Sequence, residues 1–558
     1  MQIQSQSETP DKTISSMNLN TVAFKNQGDL AFVWEGLLYV LDGKTGEVRQ
    51  LTYSGKAQHP AWSHDGEWLA FISSNSPSGN SGQLWLVRRD GEQAHQVRGV
   101  PELSYVQDIS WSPMANILAV SSQEGLWLVP VDGKPQQVQN ARNFTDASWS
   151  PDGKFLTFSG NNLPANDPKQ SQDRRDALHT INVDNGQIVR HIIAPPDTGI
   201  KKAGWWSNGK GLVYWLDPSY SASIAADGLG LWSLRLGDSQ PKLLSTGLVH
   251  RNWLSLLSSG QLLMVTGGGR IVWADKSLTI SNLETGTTKV LPNPKGNVAI
   301  DPSLSPDGKK IAFVAAKNLG NSVWGFSKPE ELENWIATRT LWIENVDGSG
   351  AHPLKDAGTG VYQPVWSKDG NRIMYVRDNS LWIIGANREN PVKILGPFSD
   401  WEKDRFGFYG YIWHDDFAWF QPFESNAANV VESDAEKAPA AAKMGVPILL
   451  IQPNKIPESV QQYFSGKSIS KVYIVGDETI VSDSTAKQLP FPCERVYGQD
   501  RYKTNQAAIT KFQDILNSNL FYVATGQDYA DALTGSVLAA KNNAPILFMK
   551  DYPRQTLV

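Results

Sequence analysis

The sequence predicts a two-part protein: an all-β propeller of about eight blades, followed by a smaller α/β domain with a parallel sheet. Three observations support this prediction. A turn motif flanked by alternating strands recurs through residues 20–420. All 21 tryptophans lie between Trp34 and Trp419, and all eight histidines lie between His59 and His414. Beyond residue 425 the pattern changes to apolar runs that alternate with helical segments, as expected for a parallel α/β sheet.

The repeated unit is clearest in Ala147–Phe158. Pro151, Asp152 and Gly153 form a turn sequence, because proline presets φ, aspartate bonds its own backbone and glycine accepts a positive φ. Alternating residues on both sides predict two antiparallel strands. Similar turns follow Trp62, Trp111, Trp206, Leu304 and Trp366. The aspartates of the clearest copies are therefore interpreted as turn residues rather than metal ligands; they are Asp65, Asp152, Asp307 and Asp369.

Each hairpin is followed by two further strand-like runs. A Leu-Trp pair marks the third strand, and a short run such as Glu47–Thr52 closes the unit. The Leu-Trp pairs begin at Leu84, Leu126, Leu231, Leu341 and Leu381. Four strands in about 40–60 residues are typical of a propeller blade. The repeat resembles the TolB-type, WD-like propeller family over about residues 20–420, a resemblance that implies a fold and almost nothing about function.

The blade count follows from the hairpin starts. These lie near Phe24, Trp62, Trp111, Trp149, Trp206, Trp253, Leu304 and Trp366, which gives eight units. The sixth unit is degenerate, with Ser259-Gly260 at its turn. Tyr411–Phe420 is interpreted as a further half unit that closes the ring. Eight blades are favoured, and seven are the alternative.

Bulk composition describes an ordinary soluble protein and excludes several classes. The 558 residues carry a net charge of −5, which gives no sign of nucleic-acid binding. The single cysteine, Cys493, rules out an intrachain disulfide. No apolar run reaches the ~18 residues of a transmembrane segment. The polar N-terminus lacks the apolar region of a signal peptide, so no export signal is visible.

Four long links between strands are all predicted to join the second and third strands of their blades. They are Asn75–Ser81, Asn161–His179, Asp217–Gly230 and Lys317–Arg339. Because strand polarity alternates within a blade, these links should emerge on one face of the propeller. Loops carry function more often than the scaffold does, so this face is the candidate site for an unknown protein or small ligand. The alternative is that these loops are tolerated insertions without a function.

The predicted domain boundaries follow composition. Residues 1–19 are expected to be a disordered extension or to supply one closing strand, and residues 20–423 form the propeller. Residues 424–445 are a linker or a degenerate repeat start, and residues 446–558 form the α/β module. Its predicted strands are Val446–Ile451, Lys471–Val475, Leu520–Ala524 and Pro545–Met549. Its predicted helices are Pro457–Ser465, Ser482–Leu489, Tyr502–Leu516 and Asp528–Lys541.

The α/β module resembles the type 2 cell wall-binding repeat of Gram-positive surface proteins. The resemblance rests on Arg495-Val496-Tyr497-Gly498, Asp500-Arg501-Tyr502, Thr504, Ala507, Ala524-Thr525-Gly526, Asp528, Asp531-Ala532-Leu533, Ser536 and Ala544-Pro545-Ile546-Leu547. The family usually carries three tandem copies. This chain shows the latter part of one copy and the first part of another, so the module is expected to be incomplete at its C-terminus or the chain to be a fragment.

Two sets of residues are candidates for binding an anionic polymer. Arg495 and Arg501 can bind phosphate or carboxylate in a bidentate manner, and Tyr497 and Tyr502 can stack on sugar rings. Alternatively, Arg501 pairs with Asp528 or Asp531 and holds the module together. The second set is Pro447-Ile448-Leu449-Leu450 and Pro545-Ile546-Leu547. Physical reasoning makes these segments buried strands, whereas the resemblance implies that they take part in polymer binding.

Several kinds of chemistry lack the residues that they need. A prolyl oligopeptidase-type enzyme would need a G-x-S-x-G nucleophile motif and a following histidine, but the motif is absent and no histidine follows His414. The histidines show no paired spacing that would predict a metal site. Cys493 has no nearby histidine to activate its thiol. We expect no cofactor and no catalytic residues.

The sequence therefore predicts a non-enzymatic cell-surface protein. The propeller would bind a ligand or a protein, and the C-terminal module would bind noncovalently to an anionic polymer of the cell wall. Two alternatives stay open at this point. One is an interaction scaffold without wall binding, and the other is a propeller enzyme, such as a lyase or a glycosidase, with its site in the central channel.

Overall fold

The chain divides into two compact units, Met1–Pro422 and Phe423–Val558, in the computed structural model. The structure describes residues 17–421 except 75–80, 140, 142, 144, 163–174, 219–227, 324, 388–389, 400 and 402–408. In the second unit it describes residue 456 and residues 470–549 except 479, 490, 515, 517–519 and 526–543. The predicted 424–445 linker and the predicted helices Pro457–Ser465 and Asp528–Lys541 lie outside the described residues.

The first unit is an eight-bladed propeller, and the first four blades are as follows. Blade 1 contains β1 (Asp29–Trp34), β2 (Leu37–Leu41), β3 (Val48–Gln50) and β33 (Phe417–Phe420). Blade 2 contains β4 (Lys56–Trp62), β5 (Trp68–Ser74), β6 (Ser81–Arg88) and β7 (His95–Gln96), and β8 (Leu103–Ser104) also pairs with β6. Blade 3 contains β9 (Asp108–Trp111), β10 (Ile117–Ser122), β11 (Gly125–Pro130) and β12 (Gln136–Gln137). Blade 4 contains β13 (Ala147–Trp149), β14 (Phe155–Asn161), β15 (Asp176–Asn182) and β16 (Ile188–Ile193).

The remaining four blades repeat this pattern. Blade 5 contains β17 (Thr198–Trp205), β18 (Gly211–Pro218), β19 (Leu229–Arg235) and β20 (Lys242–Gly247). Blade 6 contains β21 (Ser255–Leu257), β22 (Gln261–Thr266), β23 (Ser277–Asn282) and β24 (Thr288–Val290). Blade 7 contains β25 (Asn297–Leu304), β26 (Lys310–Lys317), β27 (Thr340–Asn345) and β28 (His352–Pro353), with helix α1 (Pro329–Ile336) between β26 and β27. Blade 8 contains β29 (Tyr362–Trp366), β30 (Arg372–Arg377), β31 (Ser380–Gly385) and β32 (Val392–Leu395).

Blade 1 closes the ring with strands from both ends of the propeller. Its first strand, β33, pairs antiparallel with β1, so that Phe417 faces Phe32 and Trp419 faces Leu30. The predicted half unit Tyr411–Phe420 therefore supplies the closing strand. Of the predicted extension 1–19, residues 1–16 lie outside the described residues. The count of eight blades is confirmed over the alternative of seven.

The turn motif folds as its chemistry predicts. Ser150 Oγ donates to Asp152 Oδ1 at 2.6 Å, and the same carboxylate accepts from the Lys154 N–H at 3.1 Å. Gly153 has φ +67°, a conformation that disfavours other residues. The hydrogen bond from Ser150 lowers the pKa of Asp152 below its ordinary value. The same serine–aspartate bond recurs in blades 2, 7 and 8, which confirms that these aspartates are turn residues.

In five of the eight blades, the tryptophan before the turn joins its blade to the preceding one. Trp111 Nε1 donates to the carbonyl of Ala61 at 3.0 Å, and Trp149 Nε1 donates to that of Ser110 at 3.1 Å. Trp62, Trp205 and Trp366 make equivalent bonds to Ala418, Ser148 and Ser303, each at 3.0 Å. All these acceptors lie on first strands, which contact one another around the centre of the ring. The repeated tryptophan therefore fixes the spacing between neighbouring blades.

The four long links do join second to third strands, as predicted. Parts of the first three links, and residue 324 of the fourth, lie outside the described residues. The fourth, Lys317–Arg339, packs onto the propeller instead of forming an open loop. Its Trp335 is 2% exposed, contacts Trp273 edge to face and donates Nε1 to the Lys317 carbonyl at 2.9 Å. Because the strands alternate, all four links leave their blades at the end where the first strands begin.

The described residues of the second unit form two parallel strand pairs and two helices. Strand β34 (Val472–Val475) pairs with β35 (Cys493–Val496), and β36 (Tyr522–Thr525) pairs with β37 (Ile546–Met549). The helices are α2 (Asp483–Ala486) and α3 (Arg501–Phe512). The predicted strands at 471–475, 520–524 and 545–549 and the predicted helices at 482–489 and 502–516 match these elements with shifted ends. Strand β35 was not predicted.

Candidate functional site

Arg495 lies on β35 and its guanidinium group is almost fully engaged within the unit. Nη1 donates to the carbonyls of Gly476 and Asp477 at 2.9 and 3.0 Å. Nη2 donates to the carbonyl of Val481 at 2.9 Å and to Asp483 Oδ1 at 3.0 Å. A guanidinium group has five N–H donors, so these four bonds leave only Nε for any ligand. The geometry favours a structural role in which Arg495 holds the 476–483 loop to β35.

The residues after β35 form a tight turn into α3. Asp500 caps the helix, because its side chain accepts a hydrogen bond from the Lys503 N–H at 2.7 Å. Thr504 Oγ1 accepts from the Gly498 N–H at 3.0 Å. A side chain at Gly498 would place its Cβ 2.4 Å from the Lys503 backbone, so only glycine fits. These contacts explain why this turn needs glycine, aspartate and threonine at these positions.

Asn505 ties α3 to the second strand pair, a contact that sequence reasoning missed. Its amide nitrogen donates to the carbonyl of Ile546 at 2.8 Å, and its amide oxygen accepts from the Phe548 N–H at 3.1 Å. The side chain is 2% exposed. Both bonds go to backbone groups of β37, which explains why no side-chain partner in the sequence marks this role.

An open cleft of about 620 Å³ lies between the end of β35 and one face of α3. Tyr497, 55% exposed, lines it together with Lys503 and Gln506. Lys503 Nζ donates to Gln506 Oε1 at 3.3 Å, and no carboxylate of the described residues lies within ion-pair distance of it. At the other end of the cleft, Glu494 forms ion pairs with Lys511 and with Lys471, the latter at 3.0 Å. The cleft therefore offers an available cation beside an exposed aromatic ring.

Comparison with protein families supports the resemblance of this region to a cell wall-binding repeat. Residues 495–557 match the family described as Cell wall binding domain 2 (CWB2). The C-terminal unit carries a CWB2 domain. N-acetylmuramoyl-L-alanine amidase LytC of Bacillus subtilis (strain 168) is 31% identical over 109 residues, which are 20% of this chain and 21% of that protein. The Amidase enhancer of the same strain is 36% identical over 115 residues, 20% of this chain and 15% of that protein. This chain thus spans about a fifth or less of either relative.

Solved structures that resemble the chain match it at low identity. Porphyromonas gingivalis dipeptidyl peptidase 4 has a TM-score of 0.46 at 11% identity, covering 72% of this chain and 63% of that one. A putative TolB from Agrobacterium tumefaciens has a TM-score of 0.28 at 15% identity, covering 62% of this chain and 94% of that one.

The other predicted binding residues of the CWB2 region are distributed as follows. Tyr502 and Pro545 are half-buried, Ile546 is buried, and Leu547 is exposed, although Pro545–Leu547 was predicted to be a buried strand. Leu547 is exposed beside its register partner Val523, also exposed, among the described residues. The side chain of Arg501 and the segment Pro447-Ile448-Leu449-Leu450 lie outside the described residues, as do Asp528 and Asp531.

In the propeller, the segment that leads into the closing strand runs from blade 6 to blade 2 and makes contacts that sequence reasoning missed. We call residues 409–416 the crossing segment. The Tyr409 hydroxyl accepts from Arg270 Nη1 at 2.8 Å, and the Tyr411 ring stacks on His250 at 3.6 Å. Farther along, the main chain of His414 accepts from and donates to the side-chain amide of Gln363 at 2.7 and 2.9 Å. The crossing segment then continues directly into the closing strand β33.

The crossing segment ends in an ion pair with blade 2. His59 Nδ1 and Asp415 Oδ2 lie 2.6 Å apart. Burial lowers the pKa of His59, but the hydrogen bond and the negative charge of Asp415 outweigh it and hold that pKa above its ordinary value. In contrast, burial lowers the pKa of His414 to about 4. The contact with Asp415 therefore favours the protonated form of His59, whereas burial favours the neutral form of His414.

Two further structural findings bear on the possible functions. Among the described residues, no group of three or more histidine, cysteine, aspartate or glutamate side chains is placed to hold a metal ion. Within the same part of the chain, no helix has the length and apolar character needed to cross a membrane.

Proposed function

We propose that this chain is a cell wall-associated protein of a Gram-positive bacterium. Its CWB2 domain binds an anionic wall polymer, and its propeller presents a face for a ligand or a protein. The match of residues 495–557 to the CWB2 family carries the proposal. Relatives that share 31% and 36% identity with part of the chain are an amidase and an amidase enhancer. The chain itself contributes binding, not catalysis.

The cleft beside α3 supports the binding part of this proposal. Lys503 supplies a positive charge, and Tyr497 offers an exposed ring on which a sugar can stack. Arg495, Arg501, Tyr502 and the two Pro-Ile-Leu segments stay in the predicted site. Within this set, the internal bonds of Arg495 favour an indirect role, in which it shapes the cleft wall rather than contacting the polymer.

The affinity of this chain for walls should be modest. Linked binding modules gain about 10²–10⁴ in avidity over single ones, and the family usually carries three copies. About one and a half copies are visible here, so most of that gain is missing. Exposed charges are screened within about 8–10 Å at physiological ionic strength, so binding should weaken as salt is raised.

Sedimentation with purified walls tests the proposal. The full chain should sediment with intact walls and stay in solution when the walls have been stripped of anionic polymers. Lys503→Gln combined with Tyr497→Ala should reduce the bound fraction at least ~5-fold. Lys487→Gln, which removes an exposed lysine next to α2, is the matched control and should bind like the parent. Equal binding to stripped and intact walls would contradict an anionic polymer as the ligand.

A further inference from the structure

Asn505 is a buried polar residue on the face of α3 that packs against the strands of the second unit. Only 2% of it is exposed, and Ala508, about one turn further along the same face, is equally buried. Asparagine is a poor helix former, and a buried amide is tolerated only when it is hydrogen-bonded. Its presence on a buried helix face therefore indicates a need for its hydrogen bonds.

The side chain of Asn505 binds β37 in the way that a neighbouring strand would. On one edge of β37, the Pro545 carbonyl accepts from the Tyr522 N–H of β36 at 2.9 Å. The Ile546 carbonyl and the Phe548 N–H point to the opposite edge, where both bond the Asn505 amide. Because successive backbone groups alternate between the two edges, a shift of one residue would break both bonds. Asn505 therefore fixes the register of α3 on β37.

The other contacts of this helix face do not fix a register. Ala508 packs against Val475 on β34 and Val496 on β35, in a small apolar cluster. Apolar contacts are non-directional, so they stabilise α3 on the first strand pair without setting its exact position. Since Asn505 and Ala508 share one face, α3 spans both strand pairs. Its placement across them depends on the directional bonds of Asn505.

The cleft lies on the opposite side of α3. Lys503 is carried by the helix, whereas Tyr497 directly follows β35, and both line the cleft. The bond from the Gly498 N–H to Thr504 Oγ1 attaches the start of α3 to the end of β35. Asn505 then sets the direction in which the helix leaves this attachment. The distance between the ammonium group and the aromatic ring thus depends on a residue on the far side of α3.

We propose that Asn505 is a positioning residue for the wall polymer, which holds α3 on β37 so that Lys503 and Tyr497 are correctly spaced to bind one polymer segment. The inference rests on the proposed function, because it concerns the same cleft. It adds that polymer binding depends on a buried side chain that does not contact the polymer.

The substitution Asn505→Asp tests this role, because its effect can be reversed by pH. A protonated aspartate can donate to the Ile546 carbonyl and accept from the Phe548 N–H, as asparagine does, whereas a carboxylate cannot donate. Burial raises the pKa of a carboxyl group, so the variant should be protonated at pH 4 and ionised at pH 8. Relative to the parent at the same pH, sedimentation of the full chain with intact walls should be similar at pH 4 and at least ~5-fold lower at pH 8.

A matched control removes the effect of added charge. Gln513→Glu makes the same change from amide to carboxylate at an exposed position at the end of α3. It should bind walls like the parent at both pH values. If Asn505→Asp behaves like this control, the positioning role is overturned.

A double variant separates positioning from loss of fold. If Asn505 acts by placing Lys503, then Lys503→Gln should reduce binding at least ~3-fold in the parent but less than ~1.5-fold in Asn505→Asp at pH 8. Independent residues would instead give effects that multiply, which would overturn the inference. Hydrogen exchange of the peptides covering 470–512 checks the fold, and loss of protection throughout them in Asn505→Asp would show a purely structural role.

The parent chain separates this inference from the proposed function. A parent that binds intact walls, with an Asn505→Asp variant that binds equally well at pH 8, would overturn the positioning role and leave the proposed function standing. A parent that does not bind walls would overturn both.

Discussion

The indole Nε1–H of Trp62 donates a 3.0 Å hydrogen bond to the carbonyl of Ala418, a residue 356 positions away. The bond joins blade 2 to the closing strand of blade 1. Equivalent bonds from Trp111, Trp149, Trp205 and Trp366 join other neighbouring blades. The residue that marks the repeat in the sequence thus also links five of the eight blades to the blade before them.

Removing one of these indole donors should destabilise the propeller. Trp111→Phe leaves the Ala61 carbonyl without its partner and should lower the free energy of unfolding by about 1–3 kcal/mol. Trp127→Phe is a matched control, because Trp127 Nε1 is buried without a hydrogen-bond partner among the described residues. Urea unfolding followed by tryptophan fluorescence measures both. A larger loss in Trp127→Phe than in Trp111→Phe would contradict the linking role.

The buried pair of Asp301 and Arg339 should be intolerant of a single change. Arg339→Leu leaves a buried carboxylate uncompensated and should cost about 3–5 kcal/mol. Adding Asp301→Asn should recover at least half of that loss, because the isolated charge is gone. Arg49→Leu removes the exposed pair with Glu47 and should cost less than ~1 kcal/mol. A double variant as unstable as Arg339→Leu would show that packing, not charge, dominates.

Glu344 should make propeller stability depend on pH. Burial raises the pKa of Glu344 to about 7 from an ordinary 4.5, and the negative charge of Asp347 adds to the shift. Between these values the folded state holds a proton that the unfolded state releases, so stability falls as pH rises from about 4.5 to 7. Above about pH 7 no further fall is expected from this group.

The substitution Glu344→Gln isolates this effect. Relative to the parent, the variant should gain stability between pH 5 and pH 8 by an amount on the order of 1–3 kcal/mol. Chemical denaturation at both pH values gives the difference. Glu92→Gln, at an exposed position, is the control and should show no such gain. A parent-to-variant difference that is the same at both pH values would contradict a raised pKa at Glu344.

Arg495 should be needed for the fold of the CWB2 region. Arg495→Gln loses bonds to three carbonyls and to Asp483, and should destabilise this region by about 1.5–3 kcal/mol. Hydrogen exchange of the peptides that cover 470–512 reports on it without interference from the propeller. Faster exchange in Arg495→Gln, but not in Lys487→Gln, is the expected result. Unchanged exchange together with lost wall binding would instead make Arg495 a direct polymer ligand.

The repeat was predictable because its information is local. Ser150, Asp152 and Gly153 satisfy one another within a few residues, and the same spacing recurs in other blades. The contacts of the crossing segment were not predictable, because its partners lie on blades 6, 8 and 2 and are far away in sequence. His59 is the clearest example, because its partner Asp415 is 356 positions away in the sequence, in the crossing segment.

The candidate wall-binding site was predictable only as a region. The motif around Arg495 identified the turn and α3, but backbone carbonyls accept most of the bonds from Arg495, and residue type does not reveal such acceptors. Asn505 escaped notice for the same reason, because it binds only backbone groups of β37. Tyr497, in contrast, belongs to that motif, and the structure places it in the wall of the cleft.

The most direct test of the account compares the full chain with a chain that ends at Pro422, the last residue of the first compact unit. The measurement is the fraction bound to intact purified walls at low ionic strength. The full chain should bind and the shortened chain should stay in solution, while both show the same cooperative unfolding of the propeller. Equal wall binding by the two chains would contradict the assignment of wall association to the CWB2 domain.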